Sequence, residues 1–195
     1  MASVFECEIR FPIANYVTFE QKLKGLGAVA DPYEFVDYYF RPNKDEWNTF
    51  EKNLRIREWR SGTKLVTVYF AKLEIVEIND LKFKRALYPH GKVPLFSGEF
   101  TFCKKLLEDL GFKQWLIVHK ERANLWDFPE HGFKIASEYI EDLGWTGEVE
   151  VEGDDPQRAR KEIDRIVEIL GIPKDKIDHR PISIIVAEKR SITQD

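Results

Sequence analysis

Phe5-Glu6-Cys7-Glu8-Ile9-Arg10-Phe11 is the stretch from which the rest of the chain is read. Its apolar residues fall at 5, 7, 9 and 11 and its charged residues at 6, 8 and 10, the period of two that marks a β-strand with one apolar and one charged face. Side chains two apart on a strand project to the same side ~7 Å apart. Glu6 and Glu8 can therefore converge on one cation while Arg10 reaches an anion beside it.

The same habit recurs along the chain. Leu54-Arg55-Ile56-Arg57-Glu58 alternates apolar residues with arginine, and Ser61-Gly62-Thr63 supplies a turn into Lys64 to Lys72, predicting a hairpin with two arginines on one face and Lys72 beside Val66, Val68 and Phe70. Trp115 to Trp126 predicts a strand in which Val118, Lys120, Arg122 and Asn124 share a side. Gly147 to Glu152 repeats the opening pattern, with Glu148, Glu150 and Glu152 on one face. Tyr33 to Arg41 and Ile135 to Leu143 complete the strands, Asp37 and Tyr39 sharing a face, and residues 73–98 read as a further strand and a long loop.

Three amphipathic helices separate these strands. Thr18 to Gly27 runs from an N-cap-type Thr to a glycine stop, and Phe100 to Leu110 ends before Gly111. Asp154-Asp155-Pro156 is a helix start for residues 157–170, which carry Ile163, Ile166, Val167 and Leu170 on one stripe up to Gly171. The tail from Pro173 reads as a helical turn followed by a last strand, Ile182 to Ala187.

Composition narrows the classes of function. The 195 residues are 43% hydrophobic and 33% charged, with a net charge of −4. That argues against a nucleic-acid binder, whose non-specific affinity rests on excess Lys and Arg. Cys7 and Cys103 stand far apart in no C-x-x-C arrangement, so neither a zinc module nor a disulfide framework is indicated. No stretch approaches the ~20 apolar residues of a membrane span and no secretory pattern opens the chain, so a cytoplasmic protein with no membrane partner is expected. Abundant Glu, Lys and Arg resemble a thermophile composition. His90, His119, His131 and His179 have no metal-type spacing, Trp47, Trp59, Trp115, Trp126 and Trp145 read as packing, and no P-loop or G-x-G-x-x-G stretch occurs.

One-sided alternation also describes an antiparallel sheet with one wet face. Such faces mix Thr, Ser, Lys and Gln, whereas here Glu is concentrated at two sites and Arg or Lys at three others. If the sheet curls into a barrel, its inward face holds Arg10, Arg55, Arg57, Lys72, Lys120 and Arg122 against Glu6, Glu8, Glu148, Glu150 and Glu152. Unpaired buried charges cost several kcal/mol each, so that face must hold water and ligand. Two divalent cations would bring the sum to about +5, matching a triphosphate at about −5. Carboxylates suit Mg²⁺ or Mn²⁺, and Arg and Lys suit phosphate oxygens.

In order, Glu6-x-Glu8-x-Arg10, Leu54-Arg55-Ile56-Arg57-Glu58, Lys72, Leu110-Gly111-Phe112, Lys120-x-Arg122 and Glu150-x-Glu152-Gly153 resemble the CYTH, or triphosphate tunnel metalloenzyme, superfamily, which unites class IV adenylate cyclases, thiamine triphosphatases and inorganic triphosphatases. The resemblance spans nearly the whole chain and implies one CYTH-like domain over residues 1–195, of α+β class. Its expected fold is a closed antiparallel eight-stranded β-barrel with helices packed outside. It also implies metal ligation by Glu6, Glu8, Glu150 and Glu152 with Mg²⁺ or Mn²⁺ as cofactor, and phosphate binding by Arg10, Arg55, Arg57, Lys72, Lys120 and Arg122. Glu6, Glu8 and Arg10 form the catalytic motif, and Glu148 ranks below the Glu-x-Glu pair. The family signature usually ends in Lys where this chain has Arg10, and the usual Thr-Tyr-Lys order before Lys72 is missing. The expected activity is metal-dependent hydrolysis of an inorganic or organic triphosphate. The alternatives are an adenylate cyclase acting on ATP and a non-catalytic polyphosphate or nucleotide binder; a homodimer is compatible with each.

Overall fold

The opening alternation forms strand β1 (Phe5–Pro12), in which Cys7, Ile9 and Phe11 are buried on one side and Glu6, Glu8 and Arg10 face the other. The computed structural model describes residues 5–43, 46–60, 65–129 and 133–191; the turn expected at Ser61-Gly62-Thr63, and His131, lie outside the described residues. The further strands are β2 (Val29–Pro42), β3 (Lys52–Trp59), β4 (Leu65–Ile78), β5 (Leu81–Pro89), β6 (Val93–Glu99), β7 (Phe112–Phe128), β8 (Phe133–Ile140) and β9 (Gly144–Gly153). The helices are α1 (Tyr16–Gly25), α2 (Phe100–Asp109), α3 (Pro156–Leu170) and α4 (Ile182–Lys189).

Eight strands follow the order β3-β2-β7-β8-β9-β1-β5-β4, all antiparallel, and β4 pairs back onto β3 to close the barrel. The expected eight-stranded closed barrel is therefore present, with β6 as an additional strand. It pairs with Leu65 to Phe70 of β4, whereas β5 pairs with Leu73 to Ile78. Residues 73–99 thus hold two full strands and the end of β4, where the sequence suggested one strand and a loop.

The barrel is apolar outside and charged inside, so its outer face needs cover. Ile9, Phe11, Ile135 and Val149 pack against Ile163, Ile166 and Val167 of α3. Phe40, Leu54, Ile56 and Val68 pack against Cys103 and Leu107 of α2. The α3 stripe, its Asp155 cap bonded to the Gln157 N–H (2.9 Å) and its Gly171 stop at φ 61° match the sequence reading. In α1 the cap is Asn15, whose Oδ1 accepts from the Thr18 N–H at 3.1 Å, rather than Thr18 itself. Among the described residues no helix is long and apolar enough to cross a membrane.

The last element corrects the sequence reading: Ile182 to Ala187 is helical, not a strand. Leu116 and Val118 share the parity of inward-facing Lys120, Ile140 shares that of Glu138, and all three pack with Ile182, Val186 and Ala187 of α4. The helix lies across one end of the barrel and is enclosed by its wall. A helix apolar all round suits such a position, whereas a strand there would leave backbone groups unpaired. Its approach is fixed at β1, where Arg10 and Asp178 exchange both backbone hydrogen bonds, at 2.8 and 2.7 Å.

Gly147 of β9 has no space for a side chain, because a Cβ would meet the Phe11 ring at 2.2 Å. Gly147→Ala is expected to lower stability by about 1–3 kcal/mol through overpacking, read from the urea midpoint. Gly25→Ala, where a Cβ meets nothing within 4 Å, serves as the undamaged control.

Candidate active site

The inward side chains of all eight barrel strands, β1 to β5 and β7 to β9, converge on a cavity of about 340 Å³ along the barrel axis. Toward one end it meets the first turn of α4, where the Ser183 hydroxyl donates to Asn53 Oδ1 at 3.2 Å. Toward the other stand Asp31, Tyr33 and Trp59, together with Gly91 and Lys92 from the turn between β5 and β6. Gly91 is required there, since a Cβ would fall 1.6 Å from Glu6 Oε2 and the backbone holds φ at +75°.

The carboxylates gather on β1 and β9. Register pairs Glu8 with Glu150 and Arg10 with Glu148, and one oxygen each from Glu8, Glu148 and Glu150 lie within 4.8 Å of one another. Glu8 is ion-paired with Lys84 and Glu148 with Arg10. Burial opposes the charge on Glu8, but the Lys84 ammonium overcomes it and holds the carboxyl at about 2. Burial, and then repulsion from Glu6, Glu8 and Glu148, pushes Glu150 up to about 8. Glu6 is raised as well, by burial first, although Lys92 opposes the shift.

The cations stand beside and across from these carboxylates, most of them held by buried acids. Arg10 is 2% exposed and its Nη1 donates to Glu138 (2.9 Å) and Thr146 (3.1 Å). Lys120 and the Tyr33 hydroxyl donate to the other Glu138 oxygen at 2.7 and 2.6 Å. Against the cost of its burial, Lys120 and Arg10 keep Glu138 below the usual carboxylate range. Arg57 grips Asp37 through two 2.7 Å hydrogen bonds and lies 3.5 Å over the Phe35 ring, with Arg55 3.4 Å from the same carboxylate. Lys92 is pushed down by burial and by Arg55 and Arg57.

Of the residues singled out from sequence, Glu6, Glu8, Arg10, Arg55, Arg57, Lys120, Glu148 and Glu150 line this cavity. Three do not. Ala71 and Leu73 line it, so Lys72 between them keeps the face of Val66, Val68 and Phe70, as the alternation implied, but that face is the outer one packed with α2. Arg122 sits in a β-bulge at φ 44°, exposed, with its guanidinium 4.1 Å over the Tyr139 ring outside the cavity. Glu152 is exposed in an adjoining cavity that shares Glu148 and Glu150 as walls. The acidic pair at the centre is accordingly Glu148 and Glu150, shifted by two residues from the expected pair.

Lys84, Lys92 and Glu138 were not singled out from sequence, and Asp37 was noted only for sharing a face with Tyr39. Lys84 carried a signal, since Leu81-Lys82-Phe83-Lys84 alternates as the opening strand does. Glu138 stands alone among small and apolar neighbours, and Lys92 follows a turn, so periodicity marks neither.

The CYTH domain family profile matches residues 5–182. The chain belongs to the CYTH family. Solved structures with this fold include a conserved hypothetical protein from Pyrococcus furiosus, 22% identical, covering 92% of this chain and 98% of its own at TM-score 0.69. Another is the PH1819 protein of Pyrococcus horikoshii OT3, at 21%, 94%, 99% and 0.70. A third is a candidate adenylyl cyclase from Hippeastrum described as having a dominant triphosphatase activity, at 13%, 97%, 97% and 0.56. No curated protein matches the sequence. CYTH proteins are in general metal-dependent and are typically triphosphatases or adenylate cyclases. The all-oxygen trio of Glu8, Glu148 and Glu150 fits that requirement, being the donor set of a hard divalent cation.

Because Glu150 holds its proton more tightly folded than unfolded, its contribution to stability is full below about pH 4.5 and is lost as pH rises through about 8. The unfolding free energy from denaturant melts in chelator is expected to fall over that window by a few kcal/mol, about 5 at most. Glu150→Gln should flatten the decline.

Proposed function

We propose that the tunnel is the active site of a divalent-cation-dependent triphosphatase. The observation that carries this reading is one cavity inside the barrel in which a carboxylate trio lies beside six cationic side chains, Arg10, Arg55, Arg57, Lys84, Lys92 and Lys120. Its volume, about 340 Å³, is at the lower end of the ~300–1,000 Å³ typical of small-ligand sites, and its walls are charged. That suits a polyphosphate more than an apolar organic group.

Glu8, Glu148 and Glu150 would hold Mg²⁺ or Mn²⁺, which supplies Lewis-acid polarisation of phosphate oxygens. Phosphoryl transfer needs chiefly positioning and charge neutralisation, and the chain's own groups provide both. Arg57 is fixed before substrate arrives, its Nε and Nη2 held by Asp37 and its face by Phe35, so the guanidinium edge not bonded to Asp37 meets phosphate at little conformational cost. Arg55, Lys92 and Lys120 add charge that neutralises the leaving pyrophosphate as water attacks the terminal phosphorus and the bond to the bridging oxygen breaks.

One feature favours an organic triphosphate as well. Tyr33 and Trp59 at the rim, ring centroids 6.4 Å apart, form an aromatic edge where an organic group would emerge. The cyclase reaction of ATP uses the same cage and differs in which phosphorus meets the nucleophile.

Incubation with tripolyphosphate, thiamine triphosphate or ATP, each with Mg²⁺ or Mn²⁺, separates these readings. Orthophosphate release supports hydrolysis, cyclic AMP with pyrophosphate from ATP replaces it with cyclisation, and tight binding without turnover indicates a binding protein. Glu8→Gln is expected to cut turnover by at least about 100-fold with the fold intact. Lys84→Ala should lower kcat/KM at least about 10-fold, whereas Lys72→Ala stays within about two-fold of the parent.

A further inference from the structure

Two of the three carboxylates suited to a cation already hold a cation of the chain. Glu8 is paired with Lys84, and Glu148 with Nη2 of Arg10, while Glu150 makes no ion pair among the described residues. The other tunnel cations are held differently. Lys120 pairs with Glu138, and Arg55 and Arg57 with Asp37, acids that stand outside the trio.

We propose that cation and triphosphate bind this tunnel as coupled ligands because Glu8 and Glu148 exchange partners. On turning to a divalent cation, Glu8 and Glu148 release Lys84 and the Nη2 side of Arg10 to the phosphate oxygens. This deepens the triphosphate reading and rests on it. An ammonium neutralised by a buried carboxylate attracts an incoming polyanion weakly, because its charge is already spent on its partner. Lys84 makes no other ion pair among the described residues, so the exchange frees it fully. Arg10 stays aimed, since Glu138 and Thr146 keep hold of Nη1. Lys120, Arg55 and Arg57 keep their own acids throughout and form the fixed part of the clamp. Coupling of this kind is reciprocal, so triphosphate tightens cation binding by the same factor.

The test is the affinity for a methylene-bridged, hydrolysis-resistant triphosphate, measured by calorimetry in chelator and then in Mn²⁺. In chelator, Glu8→Gln and Glu148→Gln are expected to bind the analogue about 10-fold more tightly than the parent, because each frees a cation without any metal. Lys84→Met should lose clearly more affinity in Mn²⁺, where Lys84 would otherwise hold phosphate, than in chelator, where it removes only the neutralisation of Glu8. Mn²⁺ should tighten the parent at least about 10-fold and change Glu8→Gln little. Gln variants that bind no tighter than the parent in chelator, or a Lys84→Met loss equal in both conditions, overturn the exchange. Thermal melts confirm folding, and Glu148→Gln carries the test if Glu8→Gln is unfolded. Failure of every protein to bind the analogue, with or without Mn²⁺, would instead remove the triphosphate reading. Binding without turnover leaves the exchange standing and removes only hydrolysis.

Discussion

Arg10 held between Glu138 and Glu148 is the interaction on which the rest depends. It places a guanidinium 2% exposed in the middle of a closed sheet, where an unpaired charge would cost several kcal/mol. Most charges on the inward face obey the same constraint: Lys84 answers Glu8, Lys120 answers Glu138, and Arg55 and Arg57 answer Asp37. The apolar residues are consequently displaced to the outside of the barrel, and α2 and α3 exist to cover them.

This arrangement balances stability against chemistry. Carboxylates crowded at β1 and β9 repel, and Glu150, which makes no ion pair among the described residues, keeps its proton to about pH 8. Groups with opposed proton affinities in one cavity are a mark of functional sites. The closed sheet makes the crowding tolerable, because each inward side chain is fixed by backbone pairing on both sides of its strand. At the end reached by α4, the Arg10 to Asp178 backbone bridge ties the C-terminal segment to the strand carrying the central arginine.

Much of this was legible in the alternations. Glu6, Glu8 and Arg10, and Arg55 and Arg57, are on the inward face because a period of two leaves them no other side once the apolar partners are buried. Where the reading failed, the cause was geometric. Lys72 keeps the face of Val66 and Val68, and that face is the outer one, while at Arg122 a bulge turned the side chain out onto Tyr139. The acidic pair moved from Glu150 and Glu152 to Glu148 and Glu150 because depth in the barrel, not motif position, decides which carboxylates approach Glu8. Ile182 to Ala187 has strand-like residues but lies enclosed by the barrel wall, where only a helix satisfies its own backbone.

By itself the sequence determined the two-faced strands, the helix ends at Asp155 and Gly171, and the kind of chemistry the charged face would support, because these depend on local periodicity and residue type. Tertiary structure alone decided which charges meet. Glu138 and Asp37 gain their roles from cations on paired neighbouring strands and, for Glu138, from Arg10 at the other end of the sequence, and Lys84 reaches Glu8 only because β5 pairs with β1. The opening stretch therefore specified a charged face, and closure of the sheet made that face a site.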